Sequence, residues 1–346
     1  MSTPSVPAVQ VTGLRKSFRA AGATIEAVSG IDLTVPAGEV FGLLGPNGAG
    51  KTTTLRILTT LLPADAGSAF IAGADVLRAP ALVRRRIGYV GQLGGADKEG
   101  TGRENLMLAG RLYGLSAADA RRRCAELIAV FDLEALADRS VRTYSGGQRR
   151  RLEVALGIMH RPGVLFLDEP TTGLDPRNRA NLWDQVRQLR DGGATVFLTT
   201  HYLDEADQLS DRVAIVDHGR VIALGTPDEL KRRYSADTIS VTPGSGAPEA
   251  EPMLARELVR DLAGELAGAP FVDRADVEDG AIRLTVTDTT RAMAAVFGVL
   301  AARGIPTRAA SVARPSLDDV FLRETGRSLR DTGEDAATPE TAEVAA

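Results

Sequence analysis

An α/β architecture is expected for this chain: a mostly parallel sheet with N-terminal antiparallel strands and a helical subdomain, followed by a small α+β domain. Three observations lead there. The run 164–167 is short and continuously apolar, as a strand buried on both faces should be; 195–198 is a second such run, and 39–44 reads as an apolar strand. Helix-period segments dense in Arg and Glu, at 103–113 and 117–131, separate them. Beyond a Pro-, Gly-, Ser- and Glu-rich stretch at 243–252, the elements follow the order β-α-β-β-α-β of a ferredoxin-like sandwich.

Taken in order, 9–14 and 30–35 alternate as strands around loop residues 20–22. The strand at 39–44 runs into a glycine-rich loop and a helix over 52–62, which Pro63 stops. Residues 76–160 read as mostly helical, with a further helix at 82–86, and a helical subdomain is expected at about 93–163. A hairpin over 213–216 and 220–224 turns at His218-Gly219. In the second domain, 238–241, 271–277, 281–286 and 307–312 read as strands and 290–303 as a helix. Leu254, Leu258, Leu262 and Leu266 mark one face of another helix. The expected domains are 1–235, 236–326 and a disordered tail, 327–346, poor in large apolar residues.

Composition excludes several classes. A net charge of −4 leaves no basic excess to neutralise phosphates, so no nucleic acid is expected as a partner. The single cysteine, Cys124, reads as a packed thiol. No run approaches the ~18 apolar residues of a membrane span. Residues 1–7 have neither the basic patch nor the apolar core of a secretion signal. A cytosolic chain is expected, whose membrane role comes through a partner.

The first chemical motif is Gly45-Pro46-Asn47-Gly48-Ala49-Gly50-Lys51-Thr52, a P-loop in its required place between a strand and a helix. Its glycines let backbone N–H groups converge on phosphate oxygens, and the helix N-terminus adds its dipole. Lys51 supplies a point charge for β- and γ-phosphates, the Thr52 hydroxyl ligates Mg2+, and Thr53 adds a hydroxyl. Asp168 and Glu169 end the apolar strand at 164–167, on the sheet edge that the P-loop occupies. Asp168 can hold the Mg2+ water shell there, and Glu169 can act as general base on water. His201 ends the apolar run 195–200 on the same edge, placed to bond the γ-phosphate and orient Glu169. His160 and His218 carry the ordinary structural reading.

Tyr144-Ser145-Gly146-Gly147-Gln148 then resembles the signature sequence of ABC ATPases. Ser145 can cap a helix there while the glycine N–H groups stay open to an anion. The resemblance implies that this end faces the γ-phosphate of an opposite copy, so that a homodimer sandwiches two ATP molecules. It implies a Q-loop glutamine in Gln92, touching Mg2+ and water and sensing the membrane domain. It also implies a D-loop with Asp175 crossing the dimer interface, and an adenine-stacking aromatic in Phe18, where a core phenylalanine is the rival reading. The stretches at 40–47, 101–106, 200–207 and 316–321 are similar to daunorubicin-resistance-type drug-export ATPases, which pair with a separate ABC-2-type permease. That implies an ATPase subunit energising export of a drug, antibiotic or lipid-like compound, held peripherally at the cytoplasmic face of the membrane. An importer subunit and a non-transport ABC protein are the alternatives.

Overall fold

The computed structural model describes residues 6–20, 23–234, 237–244, 252–278, 280–313 and 315–329. These form two compact units: one runs to Pro227 and resumes at Arg327, and the other is Asp228–Gly326. The expected tail beyond 329, most of the linker at 243–252 and residues 21–22 of the first loop lie outside the described residues.

In the first unit, β1 (Val9–Ala20) and β2 (Ala23–Val35) pair antiparallel along their whole length, a hairpin much longer than the alternating segments expected. Its outer half escapes the periodicity because it faces solvent, held by the backbone ladder and a cross-strand Arg15–Glu26 pair at 2.7 Å. β3 (Val40–Leu44) is buried at every position and passes through the glycine loop into α1 (Lys51–Leu58). The helix ends before Pro63 is reached. Thr60 turns to φ 65, and the Thr60 and Leu61 N–H groups bond back to the Ile57 and Arg56 carbonyls.

The region read as helical from residue 76 also contains a strand, and two more precede it. β4 (Ala66–Ile71) and β5 (Ala74–Asp75) extend the N-terminal sheet in the order β2-β1-β4-β5. After α2 (Pro80–Arg86), the four-residue β6 (Ile87–Val90) joins the main sheet. So short a run, carrying a glycine, has too little pattern to distinguish it from the end of a helix.

The helical subdomain follows as α3 (Gly102–Leu112), α4 (Ala117–Val130), a single 3-10 turn at Val141–Thr143 and α5 (Gly146–Gly157). Thr101, Ser116 and Ser145 cap the three α-helices, each accepting from the N–H three residues on. Leu106, Leu127, Phe131 and Leu152 form its core, with Cys124 packed among them as a plain buried thiol.

β7 (Val164–Asp168), α6 (Pro176–Asp191), β8 (Thr195–Thr200), α7 (Leu203–Leu209), β9 (Arg212–Asp217) and β10 (Arg220–Gly225) complete the sheet. Its order is β10-β9-β3-β8-β7-β6, parallel except for the β9–β10 hairpin at His218-Gly219. The fully buried rings of Phe41, Phe197 and Phe166 run across it with centroids 5.2 and 5.4 Å apart. Burial of each stabilises the sheet by about 1.5–3 kcal/mol. The carboxyl ends of β3, β7 and β8 therefore emerge side by side, which sets the site.

The second unit holds α8 (Pro227–Tyr234), β11 (Asp237–Pro243), α9 (Pro252–Ala267), β12 (Val272–Glu278), β13 (Ala281–Val286), α10 (Thr289–Ala302), β14 (Thr307–Ala313) and α11 (Leu317–Thr325). Its break with the first unit falls at Pro227 rather than at 235. The sheet order β12-β13-β11-β14, antiparallel throughout, is that of a ferredoxin-like sandwich. Ile239, Val241, Ile282 and Leu284 meet Leu262 and Leu266 of α9 and Val296 and Leu300 of α10. Asp319 closes a capping box with Ser316, while Leu317, Val320 and Phe321 are buried. The expected disordered tail begins ordered: Arg327 Nη2 bonds both Asp217 oxygens, at 2.8 and 2.9 Å, and Leu329 is buried.

Candidate active site

The loop after β3 can wrap an anion because two of its glycines sit where a side chain has no room. A Cβ on Gly50 would collide with the Ala27 carbonyl oxygen, and φ there is +94°, a region that L-residues avoid. A Cβ on Gly45 would collide with the Val216 carbonyl oxygen. Gly50 caps α1, so the loop ends on an open helix N-terminus. Lys51 is 4 % exposed and donates from Nζ to the carbonyls of Gly45 and Pro46, at 2.7 and 2.9 Å. Burial pushes its pKa down, partly offset by Glu169 3.6 Å away.

Asp168 ends β7 and is 1 % exposed. Its Oδ1 accepts from Thr52 Oγ1 at 3.2 Å and from Thr199 Oγ1 at 2.7 Å. Thr52 and Asp168 are thus adjacent hard-oxygen donors at the foot of the phosphate loop. Such a pair fits Mg2+, which takes one or two protein oxygens and completes its shell with water and phosphate.

Glu169 follows in the left-handed region, at φ 44. That is a strained conformation for a side chain of its kind, held from one side by its N–H bond to Thr199 Oγ1 at 3.0 Å. The twist separates its side chain from that of Asp168. Glu169 Oε1 lies 3.3 Å from His201 Nδ1 and 3.6 Å from Lys51 Nζ. The approach of His201 Nδ1 does not complete an aligned hydrogen bond. Burial raises the Glu169 pKa, but His201, Lys51 and the Thr172 hydroxyl together outweigh that and hold it below the ordinary range. The group is a carboxylate at neutral pH, able to take a proton.

One cavity of about 620 Å3 joins most of these parts: Phe18, Asn47–Thr53, Gln92, Glu169 and His201 line it, Gly45 and Pro46 do not, and Asp168 lines a neighbouring groove that shares Gln92. Phe18, on β1, is 41 % exposed, so it is no core residue; its ring lines the cavity with Lys16 Nζ 5.7 Å from the ring centroid. Gln92 reaches the same cavity from the loop after β6.

Ser145–Gln148 and Asp175 do not line it. Ser145 is the cap of α5, in a capping box with Gln148, and Tyr144 is buried beneath with its hydroxyl donating to the Leu136 carbonyl at 2.6 Å. Gly146 is exposed, and Gly147 packs on Asn178, itself bonded to the exposed Asp175 that caps α6. The signature and the D-loop therefore form one surface apart from the phosphate loop. Hydrogen bonds from Asn178 lower the Asp175 pKa.

Three residues of this region were not singled out by sequence. Thr199, which binds Asp168, could have been found as a hydroxyl ending an apolar strand. Arg150 is buried, yet in the run Arg149-Arg150-Arg151 nothing distinguishes it from its neighbours. Glu205 is fully buried on α7, and a lone acid in an acidic helix start gives no warning of that.

Residues 28–172 match the family model described as ABC transporter, and residues 225–325 that of the ATP-binding protein DrrA1-3-like, C-terminal domain. The chain is 46% identical over 342 residues to the daunorubicin/doxorubicin resistance ATP-binding protein DrrA of Streptomyces peucetius, covering 98% of this chain and 99% of that one. It is 48% identical over 306 residues to the daunorubicin resistance ATP-binding protein DrrA2 of Streptomyces coeruleorubidus, covering 88% and 92%. A dimeric ATP-binding cassette in a post-hydrolysis state bound to ADP and Pi superposes with TM-score 0.59 at 25% identity, covering 63% of this chain and 98% of that one. Subunits of this family work as dimers with a transmembrane partner. With its phosphate loop, its strand-end carboxylates and its relatives in agreement, this chain belongs to the ATP-binding subunits of ABC transporters, the ATPases that hydrolyse ATP to drive transport.

Proposed function

We propose that this subunit energises export of a drug- or antibiotic-like compound through a separate ABC-2-type permease, at the cytoplasmic face of the membrane. The observation that carries the catalytic part is the single cavity shared by the phosphate loop, Gln92, Glu169 and His201. Lys51 and the loop N–H groups hold the phosphates of ATP, and Phe18 stacks on its base. Thr52 and Asp168, with Gln92, would hold Mg2+, which would supply positive charge to offset that of the phosphates. Glu169 accepts the proton of the attacking water, and His201 orients that carboxylate.

The separateness of Ser145–Gln148 and Asp175 from that cavity supports a homodimer. Each copy's α5 N-terminus serves the γ-phosphate held by the other, and two ATP molecules lie between them.

The permease reading rests on a second groove of about 670 Å3, which shares Gln92 with the ATP cavity. Exposed Leu93, Leu108, Leu112 and Tyr113 line it, an apolar rim suited to a cytoplasmic helix of the permease. Charged residues of the same region face other tasks. Arg103 is bonded to Asp138 at 2.6 and 3.0 Å, and Glu104 completes the Thr101 capping box. No helix among the described residues is long and apolar enough to cross a membrane, so attachment comes through the partner. The relatives named for daunorubicin and doxorubicin resistance supply the cargo class.

The test is Glu169→Gln and Lys51→Ala in the purified subunit and in cells carrying the permease. Glu169→Gln should bind Mg-ATP, dimerise with it and lose turnover; Lys51→Ala should lose binding. Both should abolish anthracycline efflux. Near wild-type hydrolysis by Glu169→Gln would refute the assignment of the base.

A further inference from the structure

The middle arginine of the run on α5 does not point to solvent. Arg150 is 6 % exposed, and its guanidinium is spread over four acceptors. Nε donates to the Pro170 carbonyl at 2.9 Å and Nη2 to the Asp168 carbonyl at 3.0 Å. Nη1 donates to the Gly91 carbonyl at 2.8 Å and to Glu153 Oε2 at 3.2 Å. Glu153, one turn on along the helix, is 8 % exposed and neutralises the buried charge.

These acceptors are not scattered. Asp168 and Pro170 flank Glu169, the residue strained to φ 44, and Gly91 directly precedes Gln92. A Cβ on Gly94 would collide with Glu153, so the acid itself lies against the Gln92 loop. The donor sits on the helix whose first turn is the signature, Ser145–Gln148. One fork thus spans the signature helix, the turn carrying the base and the loop carrying the glutamine.

We propose that Arg150, locked by Glu153, is a positioning residue for hydrolysis: it holds the Glu169 turn in its strained conformation and couples that turn to the Gln92 loop and α5. The proposal rests on the reading of Glu169 as the base. Arginine suits the task because its planar fork reaches several carbonyls at fixed angles, whereas a lysine ammonium is a point charge. Arg150 does not line the ATP cavity. Its loss releases the peptide groups on either side of Glu169 and leaves the phosphate loop intact.

The experiment compares Arg150→Lys and Arg150→Met with wild type and Glu169→Gln. It measures ATP affinity, KM and kcat, with urea unfolding followed by Trp183 fluorescence. Both Arg150 variants should lower kcat at least tenfold while KM and ATP affinity stay within threefold, Arg150→Lys being the milder. A kcat within twofold of wild type for Arg150→Lys and Arg150→Met, beside an inert Glu169→Gln, would overturn the clamp alone. Parallel loss of kcat and ATP affinity would overturn it too, as would unfolding of both variants, which would make Arg150 a folding residue. If Glu169→Gln itself turned over, the base assignment would fall and the clamp with it.

Discussion

Glu205 gives a prediction that can be worked from structure to number. The side chain is fully buried on α7, with Oε1 accepting from Trp183 Nε1 at 3.1 Å while Oε2 completes no hydrogen bond of ordinary geometry. Burial raises its pKa above the ordinary glutamate range; Thr200, Trp183, Thr171 and Arg179 only partly oppose that. The folded protein therefore keeps this proton at pH values where the unfolded chain, titrating near 4.3, has released it. The sign follows: the native state binds more protons, so this group's contribution to stability falls as pH rises from the unfolded pKa to the raised folded one. The slope approaches about 1.4 kcal/mol per pH unit inside that window and flattens above it. Glu205→Gln keeps the acceptor for Trp183 and cannot ionise, so it should remove the slope and gain on wild type as pH increases. The assay is urea unfolding across pH 5 to 8 read by Trp183, the sequence's one tryptophan, which reports from beside the mutated site. Wild type and Glu205→Gln running parallel across that range, or the mutant falling further behind at higher pH, would refute a neutral Glu205.

Other expectations follow from the same geometry. Gly50→Ala must hold φ +94° and push into the Ala27 carbonyl, so ATP affinity should drop at least tenfold, equivalent to about 1.4 kcal/mol, by equilibrium titration. Thr199→Val removes the hydroxyl that serves both Asp168 and the Glu169 N–H; kcat should fall more than ATP affinity in steady-state assays. Leu108→Asp with Leu112→Asp puts charge on the apolar groove rim and should release the subunit from membranes containing the permease, with ATP binding unchanged. Fractionation of cell membranes reads that out.

Much of the candidate site is written in consecutive residues. A phosphate loop must follow a buried strand and open a helix, and the pattern from Gly45 to Thr52 states both conditions. Strand ends must deliver acids and histidine to that edge, and the apolar runs before Asp168 and His201 announce it. The α/β core and the ferredoxin-like unit were legible because burial imposes periods of 2 and 3.6 on the residues that pack. Solvated or very short elements obey no such period. The outer half of the β1–β2 hairpin and the four residues of β6 were therefore decided by pairing alone. The same limit hid Arg150 and Glu205, since a charge is buried only when partners far along the chain satisfy it. Pro170 and Gly91 reach Arg150 across 20 and 59 residues, and Trp183 reaches Glu205 across 22. The apolar groove, too, needed the fold, which alone shows that Arg103 and Glu104 are already paired and that Leu108 and Leu112 stand exposed on its rim.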